Sequence, residues 1–360
     1  MEQHLLLKYS FNILLWILLV LLNITPIKPR LSFSRSTYWP SVILIIIFAV
    51  FGYITGDYFN YISIYDASRH YNDVFHVEPF YAFLIDSSNG SYDLWRFYIW
   101  VPAVLIISWT FKRLNLNSKV AFLFFSILPM FYFCSHRQYL GVTIMYSGLV
   151  LFCTSPKRSY IIKCIAIIIF FCSIYFHRSM PLYMLLAILA FLPFNKLSYI
   201  IMALLFPLIY SNLGPILDYL TSIGGSSTIE LYSRNYIDSD FRVDITLWGI
   251  VGNIINQLPT YLLLLYAIYI SLFKPNVSLP FLAKVFLNIS VLEVYLSLLF
   301  TGQDVSAFLA PRFREYSLLP LSIFYGIYFT GQPINKYVRI LIYMMFFANL
   351  YMLSYSIYKL

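Results

Sequence analysis

Charged residues are scarce in this chain. They make up 11% of its 360 residues, against about 25% in an average soluble domain. Hydrophobic residues make up 61% and the mean hydropathy is +0.76. So few charges cannot cover a water-exposed surface of this size. The composition therefore excludes an ordinary soluble globular protein and predicts that lipid surrounds most of the chain.

Several chemical signatures are also missing. The sequence contains no P-loop, no GxGxxG and no HExxH, and its acidic residues show no metal-ligand spacing. We therefore expect no cofactor and no metal, and we expect the energy for any reaction to arrive with the substrate. The four cysteines include no CxxC pair and are interpreted as packing residues rather than a disulfide framework.

Unbroken apolar stretches of roughly 20 residues, one helix span each, recur along the chain. They predict an all-α polytopic transmembrane bundle of about 12 spans that forms a single domain over residues 1–360. The first stretch, Leu5–Ile24, is interpreted as a membrane helix because no signal-peptide cleavage site follows it. The predicted spans are 5–24, 40–56, 92–111, 119–134, 138–154, 160–176, 179–194, 198–213, 246–273, 280–301, 315–330 and 337–358.

Two of the connections, 57–91 and 214–245, are much longer than the others and are rich in Tyr, Asp, Arg and Asn. Placing the loop of Lys28 and Arg30 in the cytoplasm gives every inner connection a basic residue, as cytoplasmic loops require. Both long loops and both termini then lie on the non-cytoplasmic side. This orientation and the lipid bilayer account for the net charge of +9, so we expect no nucleic-acid partner.

The kinds of charge separate across this predicted membrane. Lys predominates inside and Arg outside, and every acidic residue except Glu293 falls on the outer side. Arg offers a planar fork that matches phosphate or carboxylate. Arg with Asp and Glu suits an anionic ligand and acid–base chemistry, whereas solvated loops with local ion pairs are the alternative. Glu293, inside a span, is interpreted as a structural hydrogen-bonding group.

The outer end of the second span is the first candidate site. Asp57 lies there at the edge of the low-dielectric region, where neighbours and burial tune protonation. On a helix, Asp57, Tyr61 and Tyr65 would share one face, and Tyr58 adds another ring. Aromatic faces beside an acid suit a sugar ring, although an interfacial aromatic belt is the alternative for each tyrosine.

The remainder of the same loop holds two further candidates. Asp66, Arg69 and Asp73 have helical spacing that favours a surface ion-pair ladder, and Arg69 is also a candidate substrate-binding residue. Glu78 precedes Pro79, which disfavours helical geometry at Glu78. Glu78 therefore lies at an element boundary, as a second carboxylate or as a capping acid at a helix start.

Arginines recur at the outer ends of three other spans. They are Arg137 beside Gln138, Arg178 beside His177, and Arg314 with Arg312. Positive residues at outer helix ends oppose the orientation bias, so an anion-binding role competes with snorkelling to lipid headgroups. Helix N-termini, predicted near Arg137 and Arg314, favour an anion further.

Four of these motifs, in this order, resemble those of the EpsG-type, Wzy-like bacterial surface-polysaccharide polymerases. They are Gly56-Asp57-Tyr58…Asn60-Tyr61, Glu78-Pro79-Phe80-Tyr81, Arg137-Gln138-Tyr139-Leu140 and His177-Arg178-Ser179, with Arg314…Tyr316 as a weaker fifth. Relatives often carry an Arg shortly before the Gly-x-Asp, which is absent here. Arg69 or Arg96 would have to replace it.

The resemblance implies a glycosyltransferase of the bacterial cytoplasmic membrane. It would join polyprenyl-diphosphate-linked oligosaccharide repeat units on the outer face, with a chain-length regulator as a partner. The arginines and Gln138 would hold the diphosphate, Asp57 or His177 would activate the acceptor hydroxyl, and Glu78 is a lower-ranked carboxylate. A lipid-linked oligosaccharide flippase, a polysaccharide ligase, another polyprenyl-phosphate-dependent glycosyltransferase and a membrane acyltransferase are the alternatives. A flippase predicts charges deep in several spans, where only Glu293 is found.

Overall fold

The regular structure of this chain is helical. A computed structural model describes residues 2–24, 35–51, 62, 65–66, 79–127, 136–177, 179–213, 247–274, 279–300, 313, 316–330 and 334–358. Every regular element in those ranges is a helix, which confirms the all-α prediction for the described part of the chain.

Thirteen α-helices and one 3₁₀ turn follow one another along the described residues. They are α1 (Glu2–Ile24), α2 (Arg35–Phe51), α3 (Pro79–Ser87), α4 (Tyr92–Arg113), α5 (Ser118–Ile127), α6 (His136–Thr154), α7 (Tyr160–Cys172), the 3₁₀ turn Ser173–Phe176, α8 (Met180–Leu189), α9 (Lys196–Ser211), α10 (Leu247–Phe273), α11 (Phe281–Phe300), α12 (Leu318–Tyr328) and α13 (Lys336–Tyr358).

Each predicted span overlaps one of these helices, but their lengths differ. Among the described residues, only α4 and α11 are both long and apolar enough to cross a membrane, and other apolar helical stretches run 10–17 residues. The count of about 12 spans therefore stays a prediction. One helix was not predicted as a span: α3 lies within the long connection 57–91.

Local sequence sets where two of the helices begin. The Ser91 hydroxyl accepts a hydrogen bond from the Leu94 N–H at 3.2 Å and caps the start of α4. Asn195 and Ser198 form a reciprocal capping box at the start of α9. The last turn of α4 carries Lys112 and Arg113, where the helix dipole favours positive charge.

The helices group into two compact units, residues 1–185 with 322–360, and residues 186–321. In the first unit, α6 packs between α7 and α4, α2 packs on α4, and α1 packs on α2, α5 and α13. Helices α6 and α7 approach closely at Gly148, where an added Cβ would lie 2.7 Å from the backbone nitrogen of Phe170. Small residues allow helix backbones this close in membrane proteins.

In the second unit, α11 packs against α9 and α10. Polar side chains link its segments: Tyr295 Oη donates to the Met202 carbonyl at 3.0 Å, and the buried Ser290 Oγ donates to the Ser317 carbonyl at 2.9 Å. The single-domain expectation concerns the chain as a whole and stays a prediction.

Apolar side chains are exposed along several helices. Ile161 and Ile168 on α7, and Leu204 and Leu208 on α9, are all more than half exposed. Large exposed apolar surfaces mark sites of contact with a membrane or a protein. These helix faces are therefore suited to lipid.

Candidate functional site

Three of the sequence motifs lie at helix ends of the first unit. The second motif leads into α3, which begins at Pro79, directly after Glu78. The third opens α6, whose first turn contains Arg137 and Gln138. The fourth follows the 3₁₀ turn that ends at Phe176, and α8 begins at Met180 just beyond it. The helix starts predicted after Glu78 and near Arg137 are thus found at Pro79 and His136.

An aromatic contact joins the second motif to the fourth. The rings of Phe80 and Phe176 meet edge to face, with centroids 4.8 Å apart, a favourable aromatic geometry. Tyr81, the next residue of α3, is fully buried. The chain just after Glu78 therefore lies against the turn that leads into His177.

A hydrogen bond joins the third motif to the fourth. Gln138 Nε2 donates to Ser179 Oγ at 3.0 Å, and Gln138 is only 2% exposed. A buried amide needs such a partner, because an unsatisfied polar group costs about 1–3 kcal/mol. Three motifs that are far apart in sequence thus meet at one turn.

Ser179 makes two hydrogen-bond contacts with the His177 ring. The ring Nδ1 lies 2.7 Å from Ser179 Oγ and accepts a hydrogen bond from the Ser179 backbone N–H at 3.2 Å. His177 itself is 7% exposed. The polar groups of this turn therefore form a chain from Gln138 through Ser179 to the imidazole.

Gly141 allows α6 to lie close to this turn. A Cβ at Gly141 would lie 2.8 Å from Met180 Sδ and 3.3 Å from Phe176 Cβ. Such distances are shorter than normal van der Waals contact. Ser179 was seen in the sequence only as part of a motif and Gly141 was not singled out, because neither contact is visible in a local pattern.

Arg96 has a different position from the one the missing upstream arginine suggested. It is 1% exposed, and its Nη2 donates to the Ala49 carbonyl at 2.6 Å. Ala49 is in the last turn of α2, where carbonyls lack partners within the helix. The guanidinium also lies 5.9 Å from the Tyr92 ring centre. Arg96 therefore caps the helix that precedes Asp57 in sequence.

Tyr65 also has a structural environment. Its hydroxyl hydrogen-bonds with Ser88 Oγ, and its ring packs on Tyr92 and Trp95 with centroids 5.6 Å apart. The side chain is 1% exposed. Tyr65 belongs to an aromatic cluster at the start of α4, which favours a packing role over sugar stacking.

The remaining predicted site residues lie outside the described part of the chain, and their roles stay predictions. They are Asp57, Tyr58, Tyr61, Arg69, Glu78, Arg178, Arg312 and Arg314. For Arg137 the structure describes the helical backbone alone. Phe313, beside Arg314 in sequence, is buried and stacks on Phe300 at 5.7 Å. Within the described residues, no group of three His, Cys, Asp or Glu could hold a metal ion.

Comparison with protein families covers nearly the whole chain: the EpsG family matches residues 36–359. The chain belongs to the EpsG family. EpsG is a family of Wzy-like polysaccharide polymerases and of membrane proteins. This EpsG-family chain is accordingly a polysaccharide polymerase type of enzyme, and its predicted resemblance to the family is confirmed. No curated protein and no solved structure matches it significantly.

Proposed function

We propose that this EpsG-family protein is a glycosyltransferase of the cytoplasmic membrane that polymerises oligosaccharide repeat units carried on polyprenyl diphosphate. The reaction takes place on the outer face, where both long loops and both termini are placed by the charge pattern. It uses no cofactor and no metal. A chain-length regulator is a further proposed partner.

The proposed step replaces one bond at the anomeric carbon of the donor sugar. The acceptor hydroxyl oxygen bonds to that carbon, the bond from the carbon to the diphosphate oxygen breaks, and a base takes the hydroxyl proton. Polyprenyl diphosphate leaves with the bonding electron pair. Because diphosphate leaves readily as a stabilised anion, the site needs charge neutralisation, which arginine supplies at the membrane edge.

The meeting of three family motifs at one turn carries this proposal. Phe80 contacts Phe176, and Gln138 contacts Ser179. Phe80, Gln138 and Ser179 therefore come together at this turn, and Glu78, Arg137 and Arg178 are close to them in sequence. Arg137 lies in the first turn of α6, where free backbone N–H groups also favour an anion.

The residue roles are proposed from the sequence motifs. Arg137 and Arg178 bind the diphosphate, together with Arg312, Arg314 and Gln138. Asp57 is the base or orients the acceptor, and Tyr58, Tyr61 and Arg69 bind sugar or phosphate. His177 is the alternative base and Glu78 a further carboxylate.

Complementation of a deletion strain tests the proposal. We expect Arg137→Ala and Asp57→Ala to abolish long glycan chains while single repeat units still reach the cell surface. Arg113→Ala is the matched control, because Arg113 is an exposed arginine in the last turn of α4 and belongs to none of the family motifs. The measurement is the glycolipid ladder, with the membrane content of each variant determined in parallel.

Other functions would give other ladders. Loss of a flippase would remove even the single repeat from the outer surface. Loss of a ligase would leave full-length chains on the polyprenyl carrier. Normal chain lengths from well-expressed Arg137→Ala and Asp57→Ala would contradict the proposed polymerase site.

A further inference from the structure

Two hydrogen bonds at His177 differ in how freely their hydrogens move. The Ser179 hydroxyl can rotate, so its contact with Nδ1 at 2.7 Å fits either direction of donation. The Ser179 backbone N–H cannot rotate, and at 3.2 Å from Nδ1 it can only donate. Nδ1 must therefore be an acceptor and carries no proton.

The position of the ring proton follows from this acceptor. A neutral imidazole has one protonated nitrogen, so the proton is on Nε2. With a proton on Nδ1 instead, two N–H groups would point at each other and the ring would lose the hydrogen bond from the Ser179 backbone. The hydrogen bond made by one ring nitrogen thus selects the state of the other.

Gln138 fixes the direction of hydrogen-bond donation between Ser179 and His177. Its Nε2 donates to Ser179 Oγ at 3.0 Å, which occupies a lone pair of the hydroxyl. The hydroxyl proton is then directed to Nδ1 of His177. All three bonds are donated towards the imidazole, and Ser179 Oγ and His177 Nδ1 each have a suitable partner.

We infer that Ser179 is a positioning residue that holds His177 with its ring proton on Nε2, so His177 serves as a hydrogen-bond donor and does not act as the base. This inference rests on the proposed function and deepens it. An Nε2–H nitrogen has no lone pair with which to accept the acceptor's proton. It is suited to an oxyanion, and it is next in sequence to Arg178. Proton removal is then left to a carboxylate, with Asp57 ranked first.

Amide substitutions at His177 test the donor role. The amide N–H of glutamine can reach the position of Nε2, that of asparagine reaches the position of Nδ1, and neither amide is a base. We expect His177→Gln to keep chain extension within about tenfold of wild type, while His177→Ala and His177→Asn lose about 100-fold, as removal of a bond to a charged group predicts. The assay is the conversion of purified lipid-linked repeat units by the reconstituted full-length protein.

His177→Gln that is folded and as inactive as His177→Ala would overturn the inference and favour a base. Folding is measured by the size-exclusion profile of each variant in detergent. Failure of the wild-type protein to extend repeat units at all would instead overturn the proposed function. The two failures are therefore distinguishable within one experiment.

Ser179 gives a second test that does not depend on the His177 variants. Ser179→Ala should lower chain extension by about tenfold, and Ser179→Thr, which restores a hydroxyl, should recover most of it. In ¹⁵N NMR of histidine-labelled wild-type protein, the signals lost in His177→Gln should show a protonated Nε2 and an unprotonated Nδ1. A protonated Nδ1 in those signals would contradict the positioning role directly.

Discussion

Two buried amides, one in each compact unit, differ in what they bind. Gln138 in the first unit is 2% exposed and donates to the Ser179 hydroxyl. Asn288 in the second unit is 5% exposed and donates to the carbonyls of Ala190 and Leu192, at 2.9 and 3.2 Å. Gln138 therefore binds a hydroxyl that itself contacts the His177 imidazole, whereas Asn288 binds only backbone carbonyls.

The difference shows how to separate polar groups that prepare chemistry from those that hold helices together. A backbone carbonyl cannot change its protonation state, so a side chain that ends on one contributes to stability alone. A hydroxyl couples two hydrogen bonds, because the bond that Ser179 accepts from Gln138 strengthens the bond that it donates to His177. The group that accepts the hydrogen bond therefore indicates the role of a buried polar side chain better than its degree of burial does.

Arg96 gives the largest expected effect and tests this rule on a charged side chain. Because its Nη2 ends on the Ala49 carbonyl of α2, we expect Arg96→Met to lower the free energy of unfolding by about 1.5–3 kcal/mol. Activity per folded molecule should change little. Unfolding in an SDS titration measures the first quantity and repeat-unit conversion the second.

Arg113→Met is the control for Arg96, since Arg113 is on the same helix and its bond to Thr154 Oγ1 is exposed. This control should have little effect on stability. If Arg96→Met is stable but inactive, Arg96 binds substrate, as the missing upstream arginine would suggest, and the rule fails for charged groups.

Gln138→Met gives the next largest effect. Methionine has a similar shape but no N–H donor, so the bond to Ser179 Oγ is lost. We expect activity per folded molecule to fall by about tenfold, close to the result for Ser179→Ala. The double variant Gln138→Met with Ser179→Ala should be little worse than either single variant, because both interrupt the same chain. Fully additive losses in repeat-unit conversion would show that the two residues act separately.

Asn288→Leu gives the smallest effect. Removing the two bonds to the end of α8 should cost about 1 kcal/mol of unfolding free energy, in the range of polar contacts in membrane proteins. Activity should stay within about twofold of wild type once corrected for folded protein, since Asn288 bonds to backbone carbonyls and to no proposed site residue. Asn212→Leu is the matched control, because Asn212 is an exposed asparagine bonded to the Leu208 carbonyl. Loss of activity in Asn288→Leu without loss of stability would break the comparison with Gln138.

The helical class was readable from composition and the length of the apolar runs. The start of α4 at Tyr92 agrees with the predicted span, because Ser91 is a capping residue directly before an apolar run. The start of α2 is less well predicted: it begins at Arg35, before the predicted residue 40. Hydropathy locates the apolar part of a helix, whereas a polar first turn lies outside that signal.

The order of the motifs, the recurrence of Arg at helix ends and the family itself followed from the residues alone, since composition and local spacing carry that information. The pairing of Gln138 with Ser179 did not, because 41 residues separate them and no periodicity links residues across helices. The same holds for Gly141 beneath Met180 and for Arg96 on the end of α2. Which nitrogen of His177 accepts a hydrogen bond was decided only by the fold, since it depends on the direction of one backbone N–H.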